Sequence, residues 1–424
     1  MLYNRAIIFY NKDKYEYSED VALKKKMLII GITMAAAGSE KSFLSFAKTA
    51  IDYEKYEVDL LLAKKTGDFL SEIPKEIRVL EMDAGGDIFL IDKNNATSII
   101  MREHLLKNPL RAFSFLPYYI AVKKAKDEPA RTYAAHRLWL HVMSSMKPME
   151  AEYDVALAFW GDRTMFYMID KVRAKKKIAW LHFDYDHPPR ENAVYLPYFD
   201  QCDKVVTVST EIGDSLKKAL PSIAKKVVTV ENIIVREDIL KKAAAPVALD
   251  WDFDGKRIVT VGRICPQKGY DLALPAMAKL KKEGYSFRWY IIGRGDGAYF
   301  DDFRAEIERL GLSNEVVLLG VQQNPYAFMA RADIYMQPSR HEGKPIAVEE
   351  AKVLCVPILT TNFTSAAEQL AEGRLGVITE ISSEGICEGL RKILADESIC
   401  AALRRELVSF GKNAQKSFDV DTLL

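Results

Sequence analysis

Two carboxylates and two cations are the side chains whose types and spacing could do chemistry. Glu342 and Glu350 form an E-x7-E pair within Pro338-Ser339-Arg340-His341-Glu342-Gly343-Lys344-Pro345-Ile346-Ala347-Val348-Glu349-Glu350-Ala351. Residues 332–336 just upstream read as a short apolar strand. Gly343 permits a tight turn, and Pro345 suits the first turn of a helix, where its missing N–H would be unpaired anyway. The segment therefore predicts strand, loop and helix, with Glu342 in the loop and Glu350 about two turns into the helix. Both carboxylates can then face the crevice above the strand ends, where open α/β sheets bind ligands. Acids beside free helix N–H groups suit a ligand carrying vicinal hydroxyls and a phosphate, such as a nucleotide sugar. By spacing alone, the pair reads equally well as acidic residues decorating a helix start.

The cations lie in Val261-Gly262-Arg263-Ile264-Cys265-Pro266-Gln267-Lys268-Gly269-Tyr270-Asp271-Leu272, between a strand at 257–261 and a helix. Arg263 can grip a phosphate bidentately and Lys268 acts as a point charge, so the two could hold a diphosphate and stabilise it as it leaves. In isolation, an arginine and a lysine on one loop are ordinary solvated surface.

The motifs occur together and in order. Gly262-Arg263, Gln267-Lys268-Gly269, Ile291-Ile292-Gly293, Val317-Leu318-Leu319-Gly320, Pro338-Ser339-Arg340 and the Glu342/Glu350 pair, over roughly residues 257–380, resemble the retaining glycosyltransferases of family four. The resemblance implies an α/β fold of two Rossmann-like domains facing across a cleft (GT-B), with the donor held by the second. It implies that Arg263 and Lys268 bind the diphosphate, Glu350 the ribose hydroxyls and Glu342 the sugar, with N–H groups around Gly343 and Ile346 assisting. Gly38, Gly293 and Val321 complete the implied donor-binding set, and Lys344 sits where relatives often carry an apolar or aromatic residue that tunes sugar choice. His182 matches the family's histidine beside the transferred sugar and joins Glu342, Arg263 and Lys268 as a catalytic residue. The donor expected is a UDP-sugar in preference to a GDP-sugar, with no cofactor. No D-x-D motif at a strand end stands out, so the leaving charge is assigned to Arg263, Lys268 and a helix dipole instead of a metal. The segment around Glu342–Glu350 looks most like transferases that build bacterial surface polysaccharides, which implies a saccharide or lipid-linked saccharide acceptor and a cytoplasmic enzyme, peripheral at the inner face of the cell membrane.

These residues need elements to hold them. A chain of 424 residues is too long for one ordinary core, and two α/β domains of about 200 residues each are the natural division. Sixty Lys+Arg against 59 Asp+Glu argue against a bulk nucleic-acid partner. The five cysteines are scattered without a C-x2-C pair, which points to a reducing compartment and away from structural zinc. No apolar run reaches the eighteen or so residues that span a bilayer.

Residues 1–26 are expected to lie outside the fold as an extension, with residues 27–242 as an acceptor-binding Rossmann-like domain whose first strand is Met27-Leu28-Ile29-Ile30-Gly31. The turn at Ala36-Ala37-Gly38-Ser39-Glu40-Lys41 then leads into a helix. Relatives carry Gly-Gly-x-Glu there; Ala37 replaces the first glycine, and a plain strand-to-helix turn is the other reading. Residues 102–147 hold nine Lys/Arg and three Asp/Glu with Phe113, Phe115, Pro117-Tyr118-Tyr119 and Trp139 interleaved. That stretch reads either as an anionic-membrane surface or as core aromatics with solvated lysines. His182 stands at the tip of a strand at 177–181, where an α/β fold exposes reactive groups, although a lone histidine is more often structural. Lys241-Lys242-Ala243-Ala244-Ala245-Pro246 reads as the linker, residues 247–400 as the nucleotide-sugar domain, and 401–424 as a terminal helical segment crossing back to the first domain. Pro275 is expected in the first turn of a helix over 272–282. Two rivals remain: another enzyme of the same architecture, such as a nucleotide-sugar epimerase or a phosphorylase, and a non-catalytic partner subunit of an active transferase.

Overall fold

Met27, Leu28, Ile29 and Ile30 are all fully buried, which requires a strand covered on both faces, as in a parallel sheet with helices on either side. A computed structural model describes residues 23–82, 86–90, 112–126, 128–187, 189–247, 253–411 and 418–424. In it, β1 (Lys25–Gly31) runs beside β2 (Tyr56–Leu62) and β4 (Glu152–Ala158). Leu28 and Ile30 enter one apolar core and Met27 and Ile29 the other, as the two-residue period of a strand demands. With β3 (Ile77–Glu81), β5 (Arg173–Leu181), β6 (Lys204–Thr207) and β7 (Val227–Thr229), the sheet has the order β3-β2-β1-β4-β5-β6-β7, parallel throughout. Lys25 and Lys26 already belong to β1, although the extension was expected to run through residue 26, and residues 1–22, 83–85 and 91–111, the last including the start of the basic aromatic stretch, lie outside the described residues.

The second sheet, β10-β9-β8-β11-β12-β13, repeats the plan with β8 (Lys256–Val261), β9 (Phe287–Ile292), β10 (Val316–Gly320), β11 (Ile334–Gln337), β12 (Ile358–Thr361) and β13 (Val377–Thr379). Strand order reverses between β8 and β11, so the loops after these two strands diverge and leave a crevice at their C-terminal ends. This is where the sequence placed both motif loops.

Other boundaries differ from expectation as well. Ile239 and Ala243, on the helix Arg236–Ala243, are buried with Val259 and Leu407 in the second domain's core, so the chain has already crossed before the lysine-rich segment at 241–246. The shift in composition there marks the end of a helix. The helix Glu397–Gly411 also stays on the second domain through Leu407, and only the last residues return: Val420 and Leu423 are buried beside Phe46, Tyr56 and Trp180 of the first. Finally, the helix expected at 272 begins at Tyr270, because Gly269, at φ +67°, starts it two residues earlier. Pro275 thus lies in its second turn and withholds one helical N–H from Asp271.

Candidate active site

The two motif loops and the first domain enclose a cleft of about 270 Å³. From the second domain it is lined by Arg263, Lys268, Gly293, Val321, Glu342, Gly343, Ile346 and Glu350, and from the first by Gly38 and His182. The sequence reading had singled out all of these, and the fold brings them to one place.

Glu342 is 6% exposed, and its Oε1 accepts from Lys268 Nζ at 2.7 Å, Ser339 Oγ at 2.6 Å and Gln337 Nε2 at 3.1 Å. Burying a carboxylate is costly unless it is paired and hydrogen-bonded, and these three donors meet that requirement. Lys268 spends one N–H on Glu342 and keeps two that can reach phosphate oxygens. Arg263 is exposed at the cleft, on the same loop. Gly293, at φ +154°, lets the loop after β9 close onto the loop after β8: a Cβ there would fall 2.0 Å from the Gly262 carbonyl oxygen.

The helix Ile346–Val353 starts one residue later than the sequence suggested. Pro345 is its extended cap residue (φ −63°, ψ 117°), so Glu350 lies just over one turn in, not two. No side chain caps this end, which leaves the first N–H groups beside Gly343 and Ile346 open to the cleft. Glu350 is 1% exposed; its Oε1 accepts from Lys41 Nζ at 2.8 Å and Tyr326 Oη at 2.9 Å, while its Oε2 is buried without a partner.

Across the cleft, His182 follows β5. Its ring is stacked on Trp180 at 6.2 Å and tilted against Phe159 at 4.8 Å. Burial pushes its pKa down to about 3, so the imidazole is neutral at physiological pH. Its Nε2 is the second buried atom in the cleft walls that lacks a hydrogen-bond partner. Gly38 opens the helix Gly38–Thr49, again without a side-chain cap, and a Cβ there would meet only Ile346 Cγ2 at 3.5 Å, ordinary contact. Ala37, just before it, is extended (φ −141°, ψ 171°), a conformation any residue adopts, so the turn needs no glycine there.

Lys344 also lines the cleft, with its ammonium engaged in ion pairs. Its ammonium pairs with Glu231 Oε1 of the first domain at 3.0 Å and with Glu368 Oε1 at 3.4 Å. Burial alone would lower its pKa; Glu349, Glu231 and Glu368 outweigh that and raise it. Asn232 Nδ2 donates to the Lys344 carbonyl at 3.0 Å, and Glu368 accepts from the Thr210 N–H at 2.8 Å, at the start of the helix Thr210–Ala219 in the first domain. Lys344 and Glu368 thus tie the donor-side loop to the opposite domain. Lys41, Tyr326, Asn232 and Glu368 escaped the sequence reading. Lys41 alone had a signal, its place beside the Gly38 turn, and its partner lies 309 residues away along the chain.

Residues 242–417, which carry most of this site, match the family of glycosyl transferases group 1. Curated relatives of the chain include the N-acetylgalactosamine-N,N'-diacetylbacillosaminyl-diphospho-undecaprenol 4-alpha-N-acetylgalactosaminyltransferase of Campylobacter jejuni, 29% identical over 46% of this chain and 50% of that protein. Another is the capsular polysaccharide biosynthesis glycosyltransferase CapM of Staphylococcus aureus, 29% identical over 33% of this chain and 37% of that one. The matched stretches span about half the length of the curated relatives. Among solved structures, HepE of Anabaena in complex with UDP and glucose aligns over 94% of this chain and 97% of its own, with 16% identity and a TM-score of 0.64. WaaG, a glycosyltransferase involved in lipopolysaccharide biosynthesis, aligns over 92% and 96%, with 16% identity and a TM-score of 0.56. The two domains of this chain thus share the GT-B fold of these structures.

Proposed function

We propose that the chain is a retaining, metal-independent glycosyltransferase that moves a hexosyl group from a nucleotide-diphosphate sugar, UDP-linked in preference to GDP-linked, to a saccharide or lipid-linked saccharide in cell-surface polysaccharide synthesis. The observation that carries this reading is the pair of unpartnered buried atoms in one cleft, Glu350 Oε2 and His182 Nε2, beside the Arg263 and Lys268 cations. A ligand with hydroxyls at two places and a diphosphate between them satisfies all four. The relatives named for polysaccharide and lipid-linked saccharide synthesis support the choice of acceptor class.

In this reading Glu350 accepts from the ribose, Arg263 and Lys268 hold the diphosphate, and the open N–H groups at Gly343 and Ile346 add to its stabilisation. Glu342 orients the sugar and keeps Lys268 in place, while neutral His182 meets a sugar hydroxyl without adding charge. The bond from the anomeric carbon to the diphosphate oxygen breaks as the acceptor hydroxyl oxygen bonds to the same face of that carbon. The acceptor proton passes to the departing phosphate oxygen. Contact between the domains excludes the water that would otherwise capture the sugar. A thermal-shift screen of UDP- and GDP-sugars tests the reading: one donor raises the melting temperature of the wild type, and the rise disappears in Lys268→Ala and Glu350→Ala. A folded wild type that responds to no donor favours the non-catalytic partner reading.

The acceptor side points to an anionic membrane surface. Among the described residues no helix is long and apolar enough to cross a membrane. On the helix Ala112–Lys124, Phe115 is buried, as is Trp139 on the next helix, so part of the aromatic stretch is core. Leu116, Tyr119 and Ile120, however, are 52%, 37% and 40% exposed, and Lys123, Lys124 and Lys126 follow them at the surface. Exposed apolar side chains followed by three lysines match the interface of an anionic leaflet.

A further inference from the structure

The helix Gly38–Thr49 belongs to the first domain, yet two cations on one of its faces reach the second. Lys41 Nζ pairs with Glu350 Oε1 at 2.8 Å, and Lys48 Nζ, two turns on, with Asp238 Oδ2 at 3.5 Å. Between them Ser42 Oγ donates to Asn232 Oδ1 at 2.9 Å, in the segment that joins the domains. Lys41 differs from Lys48 in where it ends: on a carboxylate 2% exposed at its side chain, with the lysine itself at 19%. Tyr326 closes the set. Its hydroxyl donates to the same Glu350 oxygen, and Lys41 Nζ sits 4.7 Å from its ring centroid, within cation–π range.

The consequence lies in the oxygen left over. With Oε1 held by two donors, the carboxylate cannot rotate freely, and Oε2 is fixed in a buried position with no partner. Lys41 and Glu350 line the large cleft and also a smaller cavity of about 60 Å³ behind it, whereas Tyr326 lines only the smaller one. Tyr326 thus holds Glu350 from outside the cleft, and Lys41 holds the same oxygen from the cleft wall, leaving Oε2 unclaimed by either. A carboxylate oxygen has room for two donors, and two adjacent hydroxyls can supply them.

Resting on the nucleotide-sugar reading, we propose that Lys41 is a positioning residue for the nucleoside. Reaching from the first domain, its ammonium fixes one oxygen of Glu350 so that the other is presented to the vicinal diol of a ribose. Because the lysine and the carboxylate belong to different domains, the ribose site is complete only where the domains meet, and diol recognition becomes a check on their contact. An unanchored Glu350 would carry an uncompensated buried charge and could turn away from the cleft.

Isothermal titration of UDP, GDP and their 2′,3′-dideoxy counterparts against wild type, Lys41→Met and Lys41→Arg tests this, with thermal melts reporting folding. The wild type should prefer its ribonucleotide over the dideoxy form by about tenfold or more, roughly 1.4 kcal/mol. Lys41→Met should reduce that preference to under about threefold while its affinity for the dideoxy nucleotide changes little, since Arg263 and Lys268 are intact. Lys41→Arg should recover most of the preference. A general structural role would weaken both nucleotides alike and leave the ratio untouched. A full preference in Lys41→Met overturns the role of Lys41 alone, whereas a wild type that binds nucleotides without one overturns the ribose contact of Glu350 as well. A folded wild type that binds no nucleotide overturns the nucleotide-sugar reading together with this inference. If Lys41→Met does not fold, Lys41→Gln carries the same comparison.

Discussion

The backbone carbonyl oxygen of His182 lies 2.2 Å from where a Cβ on Gly343 would be, so the first domain touches the donor loop of the second through the one residue type that leaves the space free. A Cβ there would also fall 2.8 Å from the His182 carbonyl carbon, and backbone cannot swing aside as a side-chain tip can. Gly343→Ala should therefore keep both domains folded while holding the loop and His182 apart. Misplacement of about 1 Å can cost on the order of a hundredfold in rate. A transferase assay beside a thermal melt checks this; near-normal turnover with an unchanged melt would show that the contact is dispensable.

The Lys268–Glu342 pair should show in stability as well as in donor binding. Lys268→Met leaves Glu342 buried with only Ser339 and Gln337 as donors, and removing one partner of a buried pair costs about 3–5 kcal/mol. Adding Glu342→Gln should restore part of that loss. A double-mutant cycle by urea unfolding is expected to give a coupling of about 1–3 kcal/mol, whereas additive losses would mean that the ion pair is not formed in solution.

His182 sets a pH dependence. Its pKa is about 3 in the folded chain and near the ordinary 6.5 in the unfolded one, so the unfolded state binds more protons between those values. Its contribution is therefore complete above about pH 6.5 and is lost as pH falls toward 3. His182→Phe should flatten the decline in stability over that window, by up to about 5 kcal/mol, without changing its course above pH 7. Chemical denaturation at a series of pH values reads the difference directly; parallel curves for the two proteins would place the titrating group elsewhere.

Membrane binding should depend on charge and apolar contact together. Leu116→Glu with Ile120→Glu should abolish co-sedimentation with vesicles containing anionic phospholipid while leaving nucleotide binding unchanged, since both side chains are at the surface far along the chain from the cleft residues. Replacing Lys123 and Lys124 with glutamine should weaken binding by about 1 kcal/mol per lysine and make it less sensitive to salt. Equal binding to neutral vesicles would rule out the anionic surface.

The elements around the donor side could be read from the sequence because their signals are local. Gly269, Gly343 and Pro345 mark turns and helix starts within a few residues of Arg263, Lys268, Glu342 and Glu350, and alternating or continuous apolar runs mark the strands. The errors have equally local causes: a run of lysine and alanine looks like a linker whether or not the preceding Ile239 is buried against another domain. What joins the domains could not be read at all. The bonds from Lys344 to Glu231, from Glu368 to Thr210 and from Lys41 to Glu350 link residues that are distant in the chain, and neither partner's neighbourhood names the other. The aromatic stretch shows the same limit. Burial divides Phe115 and Trp139 from Tyr119 and Leu116, and composition alone cannot make that division.

Phe418, Val420 and Leu423 seat the end of the chain in the first domain, against Phe46 and Trp180. The second domain is thereby an insert in the first, attached by two covalent tethers, one entering before Arg236 and one leaving after Gly411. Two tethers restrain free twisting and wide separation of the domains more than one would, and removing residues 418–424 would take away the seat of the second in the first domain.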